Sequence, residues 1–156
     1  MLTPFLASLA LFAADTPAPL APTKADVPYA GTTELRQTLN VYAPSTKPTK
    51  PAPVIFWIHG GGWRGGEKTS VQLKPKFFTD LGYVFVSTNH RYISAVPMNE
   101  IFADVAKSLR WTHDHAAEFG GDPNRIYVSG NSAGGHLTAL CLDHPAVEPG
   151  PGHPSA

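Results

Sequence analysis

The chain has 156 residues, enough for one domain with a real core and too few for two ordinary ones. Twelve Lys and Arg balance twelve Asp and Glu, so charge gives no reason to expect nucleic acid or an acidic membrane surface as a partner. A hydrophobic fraction of 42% argues against a disordered chain, and the single cysteine, Cys141, excludes an internal disulfide and any cysteine-based zinc site.

Residues 2–14, LTPFLASLALFAA, form an apolar run too short to span a bilayer but suited to the core of a secretory signal. No Lys or Arg precedes it, and Ser8 and Ala10 supply only a weak small-x-small cleavage site. The expectation is a signal peptide and Pro-rich linker over 1–28, hence a secreted or periplasmic protein. The alternative is an N-terminal extension on a cytoplasmic one. Proline marks the other boundaries: nine of the 16 precede residue 54 and four follow residue 144. A folded unit over 29–144 is therefore expected, with a Pro/Gly-rich disordered tail over 145–156.

LRQTLNVYAP, from Leu35, alternates as an antiparallel strand does. VIFWIH, YVFVSTN and RIYVSG are nearly continuous apolar runs, the pattern of parallel strands covered on both faces. Between them the spacing predicts a helix over Val71 to Leu81, with Phe77, Phe78 and Leu81 inward and Gly82 as its stop. A second helix, from about Asn99 to Glu118, places Ile101, Val105 and Leu109 inward and ends at Gly120. A third begins near Ala133 and carries Leu137, Leu140 and Cys141, the last read as a buried small hydrophobe. This alternation gives an α/β fold: a mostly parallel sheet with helices on both faces, three layers deep.

The loop in VIFWIHGGGWRGGEKTS contains G-x-G-x-x-G at Gly60, Gly62 and Gly65, after a strand and before a helix. As a dinucleotide site it fails twice. Trp63, Arg64, Glu67 and Lys68 stretch it beyond the tight turn that the pyrophosphate requires, and Asn89, His90 and Arg91 stand where a ribose-binding acid belongs. A phosphate loop fails because Glu67 occupies the glycine position before Lys68.

RIYVSGNSAGGHLTAL places Gly130-Asn131-Ser132-Ala133-Gly134 between a buried strand and a helix, the setting of a nucleophile elbow. The sharp turn forces Ser132 into a strained backbone and brings residues two before and two after it together, so both must be glycine or nearly so. Gly135 is expected to relieve the same crowding. A serine attacking an ester creates an oxyanion. Fixed N–H dipoles aimed at it are worth about 3 kcal/mol each. The helix begun at Ala133 supplies one amide, and the glycine loop His59-Gly60-Gly61-Gly62-Trp63 supplies the others, reading better as an oxyanion loop than as a phosphate cradle.

HGGGW at 59–63, N-H-R-Y at 89–92, G-D-P-N-R-I at 121–126 and GNSAGGH at 130–136 resemble the N-terminal half of an α/β-hydrolase, over about residues 30–143. The group most similar is the carboxylesterases related to hormone-sensitive lipase and to bacterial feruloyl or acetyl-xylan esterases, which usually carry Tyr where His90 stands. The resemblance implies hydrolysis of a small-molecule carboxylic ester through an acyl-serine, with Ser132 as nucleophile and Gly61, Gly62 and Ala133 forming the oxyanion hole. It implies no metal and no cofactor.

In that fold the acid and the histidine follow the nucleophile on later loops. No strand-like run follows Leu142. Asp143-His144 are sequence neighbours and cannot align with Ser132, and His153 has nothing to position it. His59 is expected to brace its own loop, His136 to pack, and His113 and His115 to be solvated. Asp104 and Arg91 are read as packing and bracing residues, as is Trp63, which could instead line an acyl pocket. Two readings result: an esterase half-domain, feeble or inactive by itself, or a non-catalytic binding module that pairs, with itself or a partner, through the edge strand RIYVSG.

Overall fold

The computed structural model describes residues 18–143. The expected signal run and the tail over 145–156 lie outside the described residues. Five strands form one sheet: β1 (Lys24–Pro28), β2 (Thr38–Tyr42), β3 (Ala52–Ile58), β4 (Val84–Thr88) and β5 (Gly121–Gly130), in the order β1-β2-β4-β3-β5. The helices are α1 (Lys74–Asp80), α2 (Met98–His115) and α3 (Ala133–Asp143). β4, β3 and β5 run parallel, while β2 joins β4, and β1 joins β2, antiparallel. The α/β expectation holds, with the parallel half carrying the site and an antiparallel pair extending the sheet.

Strand periodicity decides the layers. Val54, Phe56 and Ile58 point to one face and, fully buried, share a cluster with Ile101, Val105 and Leu109 of α2 and Leu137 and Cys141 of α3. Ile55 and Trp57 point to the other, where Val71, Phe78 and Phe85 cover them. Among the described residues that second layer holds only α1, two turns long, and Ile55 and Trp57 stay partly exposed.

Three expectations need correction. β1 lies inside the stretch read as linker; its sequence KADVP buries only Val27, so it shows no alternation, and it is held by pairing with β2. α1 starts at Lys74 rather than Val71. Its inward face is Pro75, Phe78 and Thr79, with Val71 buried just ahead of it, whereas Phe77 and Leu81 are exposed. The stripe read from the sequence was rotated by about one residue, because the two aromatics at 77 and 78 fit a helical period in either phase. Gly82 does end the helix, at φ +83° with its amide on the Thr79 carbonyl. α2 buries Ile101, Val105 and Leu109 as expected and tightens into a 3-10 turn, Ala116–Phe119, closed by Gly120. Cys141 is buried, which pushes its thiol up to about 11.

The parallel register aligns the strand ends that matter. Ile58 pairs with Thr88 on one side and Gly130 on the other, so β3, β4 and β5 finish level. The loops that follow them therefore meet at one edge, which is where α/β sheets bind ligands.

Candidate active site

β5 turns into α3 through Asn131 and Ser132. Ser132 is exposed at φ +53°, a left-handed conformation that costs a non-glycine residue about 1–3 kcal/mol. The turn is held by three backbone bonds: Asn131 N to the Ile58 carbonyl at 3.3 Å, Gly134 N to Asn131 at 2.9 Å and His136 N to Ser132 at 3.1 Å. Its tightness is steric. A Cβ on Gly130 would stand 2.4 Å from the Gly134 carbonyl group, and one on Gly134 would stand 2.2 Å from the Ile58 oxygen. Gly135 does not share this crowding, since its nearest contact would be an ordinary 3.6 Å, and the expectation for it is corrected.

The glycine loop after β3 lies against this turn. A Cβ on Gly60 would meet the Asn131 oxygen at 2.7 Å and the Ser132 Cβ at 3.3 Å, so the two loops touch. Gly61, at φ +128°, folds its carbonyl inward to accept from Arg64 and Gly65 at 3.1 and 3.0 Å. Gly61 and Gly62 are both exposed, and among the described residues their amides take no backbone partner. Ala133 opens α3, and the first amides of a helix have no acceptor within it. Ser132, Gly61, Gly62 and Ala133 are thus brought to one edge of the sheet.

The loop is braced by residues to which the sequence reading gave no bracing role. Arg36, from a 3-10 turn ahead of β2, pairs with Glu67, donates to the Gly66 carbonyl at 2.9 Å and the His90 carbonyl at 3.3 Å, and lies 4.0 Å over the Tyr92 ring. Tyr92 donates its hydroxyl to the same Gly66 carbonyl at 2.6 Å. Asn89 grips both sides of Glu67-Lys68, donating to the carboxylate at 2.9 Å and accepting from the Lys68 amide at 2.7 Å. No local pattern announces this cluster: it joins residues from three separate loops.

His59 braces its own loop, as expected. Its Nδ1–H donates to the Gly60 carbonyl at 2.8 Å, and its ring stacks on His90 with centroids 4.6 Å apart. Burial, and then the nearby His90 and Arg36 charges, lower its pKa to about 4 against the opposing pull of the Gly60 carbonyl and Glu67. Burial lowers His90 as well. Both imidazoles are therefore neutral spacers at ordinary pH.

Asp104 and Arg91 form the buried brace that the sequence suggested. Asp104 is fully buried on α2 and receives Arg91 Nε and Nη2 at 2.8 Å each, the Arg91 amide at 3.1 Å and Gln37 at 2.7 Å. Trp63 meets His136 edge-on at 5.4 Å and packs against the core cluster. His115 stacks on Trp111 at 4.2 Å and keeps about a third of its side chain exposed, and His113 stays near the surface beside Asp114. Among the described residues no side chain hydrogen-bonds the Ser132 hydroxyl, and none form a metal-binding cluster. No helix among them is long and apolar enough to cross a membrane. His144 and His153 lie outside the described residues.

A strained serine between a parallel strand and a helix, facing a glycine loop from the neighbouring strand, defines an α/β-hydrolase of the carboxylesterase-like kind, in part of its fold. The chain belongs to the BD-FAE family, which it matches over residues 39–143. Among curated relatives it is 37% identical over 107 residues to the probable carboxylic ester hydrolase LipM of Mycobacterium tuberculosis, covering 65% of this chain and 25% of the relative. To esterase LipQ of the same organism it is 31% identical over 130 residues, covering 80% and 31%. Among solved structures it resembles the thermophilic esterase Est2 of Thermogutta terrifontis, with a TM-score of 0.64 at 34% identity over 74% of this chain and 42% of that one. Esterase B of Lactobacillus rhamnosis gives a TM-score of 0.70 at 29% identity, over 75% and 38%. The chain spans about a third or less of the two curated relatives' length.

Proposed function

We propose that the chain is the nucleophile-bearing part of a serine carboxylesterase. Ser132 attacks the carbonyl of a small-molecule ester, and the amides of Gly61, Gly62 and Ala133 receive the oxyanion. The alcohol departs with a proton, leaving an acyl-serine that water then hydrolyses. The observation that carries this reading is the left-handed Ser132 pressed against Gly60. Such strain persists only where the surroundings enforce it, and here it holds the hydroxyl out toward solvent. No imidazole among the described residues is hydrogen-bonded to that hydroxyl, so a general base must be brought to it. The 156-residue chain by itself is accordingly expected to turn over esters slowly or not at all. p-Nitrophenyl acetate hydrolysis with a Ser132→Ala control tests this. Fast turnover that disappears in the variant would refute the missing base, and turnover unaffected by the variant would refute Ser132 as nucleophile.

A second reading has its own observation. Among the described residues β5 pairs only with β3, and Tyr127 on it is 56% exposed. An open edge of this kind pairs with another strand, so a homo-oligomer through β5 is the alternative, removed by a clean monomer in light scattering. We also propose export, on the apolar run at 2–14, which cell fractionation tests.

A further inference from the structure

Four of the twelve Lys and Arg side chains are at least partly withdrawn from solvent: Arg36, Lys68, Lys74 and Arg91. Three of them meet a carboxylate, respectively Glu67, Asp26 and Asp104. Lys74 does not. Its ammonium donates to the Gln72 side chain at 2.6 Å and stands 4.6 Å from the centroid of the Trp57 ring. The Lys74–Gln72 bond lies at the surface, and the ammonium remains free to pair with something that carries a negative charge.

Its position says what that something is. Lys74 lines a cleft of about 180 Å³ with Trp57, Ser70 and Gln72 on one side and Gly60, Gly61 and Asn131 on the other. The second wall is the glycine loop and the residue before Ser132, so the cleft opens directly beside the serine. A volume equal to about six waters admits a short substrate arm and little more. An ester whose carbonyl lies over Gly61 lays that arm across Trp57 toward the ammonium.

We propose that Lys74 is a specificity residue and that the substrate is an acidic ester, one arm of which carries a carboxylate that pairs with it. This rests on the esterase reading for the ester, and on the cleft alone for the carboxylate. A neutral arm of the same size fills the cleft and leaves the ammonium unpaired, which discriminates against it.

The test uses the 156-residue chain and two non-chromogenic probes of the same skeleton, monomethyl glutarate and dimethyl glutarate. The Trp57 indole N–H resonance, assigned with Trp57→Phe, reports binding. The acid is expected to bind about tenfold more tightly than the diester, a preference that falls to about twofold or less in Lys74→Met and Lys74→Gln and persists in Lys74→Arg. Ser132→Ala should leave it unchanged. Equal affinities in the wild type, or a preference that survives both neutral substitutions, overturns the proposal. The two readings separate cleanly: an intact acid preference with ester turnover that Ser132→Ala leaves unchanged removes the esterase and keeps the cleft, and Ser132-dependent hydrolysis without acid preference does the reverse.

Discussion

Gly134 and Gly135 are neighbours in the first turn of α3, yet alanine should act on them with opposite sign. At Gly134 the new methyl would stand 2.2 Å from the Ile58 oxygen and 2.7 Å from that of His59. Carbon–oxygen contacts settle near 3.3 Å, so α3 would have to retreat by about 1 Å. Both obstacles are backbone, at the end of β3 and the residue after it, and cannot step aside. The cost sits at the upper end of the ~1–3 kcal/mol typical of overpacking, against a helix-propensity gain of about 0.5–1 kcal/mol. The net is a loss of about 2 kcal/mol. At Gly135 the methyl meets only the Gly130 oxygen at an ordinary 3.6 Å, so the propensity gain remains and stability rises by about 0.5 kcal/mol. Urea unfolding followed by tryptophan fluorescence should separate the two variants by about 1–2 M in midpoint. Equal midpoints, or Gly134→Ala above the wild type, would mean that the elbow is not packed on β3 as described.

Ser132→Gly should abolish any nucleophilic labelling while raising stability by about 1 kcal/mol, read in the same unfolding assay, because glycine accepts the left-handed backbone without strain. Asp104→Ala leaves Arg91 and Gln37 without their buried acceptor and should cost about 3 kcal/mol; an unchanged melting temperature would refute the brace. Stability should fall with acid. His59 titrates near 6.5 when unfolded and at about 4 when folded, so between those values the unfolded chain takes up the proton first. The loss approaches about 3 kcal/mol at pH 4, and His90 acts in the same direction. His59→Gln should flatten part of that slope in urea midpoints measured from pH 7.5 to 4.5. Arg36→Ala should speed amide exchange across residues 60–66, where its guanidinium pins the Gly66 carbonyl; protection equal to the wild type would deny it that role.

How far the sequence could be read follows from which forces are local. The three parallel strands, the long helix α2 and the elbow at Ser132 were legible because each is encoded within a dozen consecutive residues. Apolar runs declare strands, a four-residue spacing declares a buried helical stripe, and glycines around a serine declare a turn that no bulkier residues permit. β1 escaped because its place is dictated by pairing with β2 and not by its own side chains. α1 was found but turned by about one residue, since two turns of helix with adjacent aromatics carry too little periodic signal to fix a phase.

The sequence by itself determined the class of fold, the three parallel strands and the identity of the strained serine, because steric exclusion and hydrophobic period act between near neighbours. Tertiary structure alone decided what steadies and what surrounds that serine. Arg36, Glu67, Asn89 and Tyr92 converge on the glycine loop from separate segments, and Lys74 comes to rest over Trp57 without a carboxylate partner, because long-range contacts exist only once the chain has closed on itself.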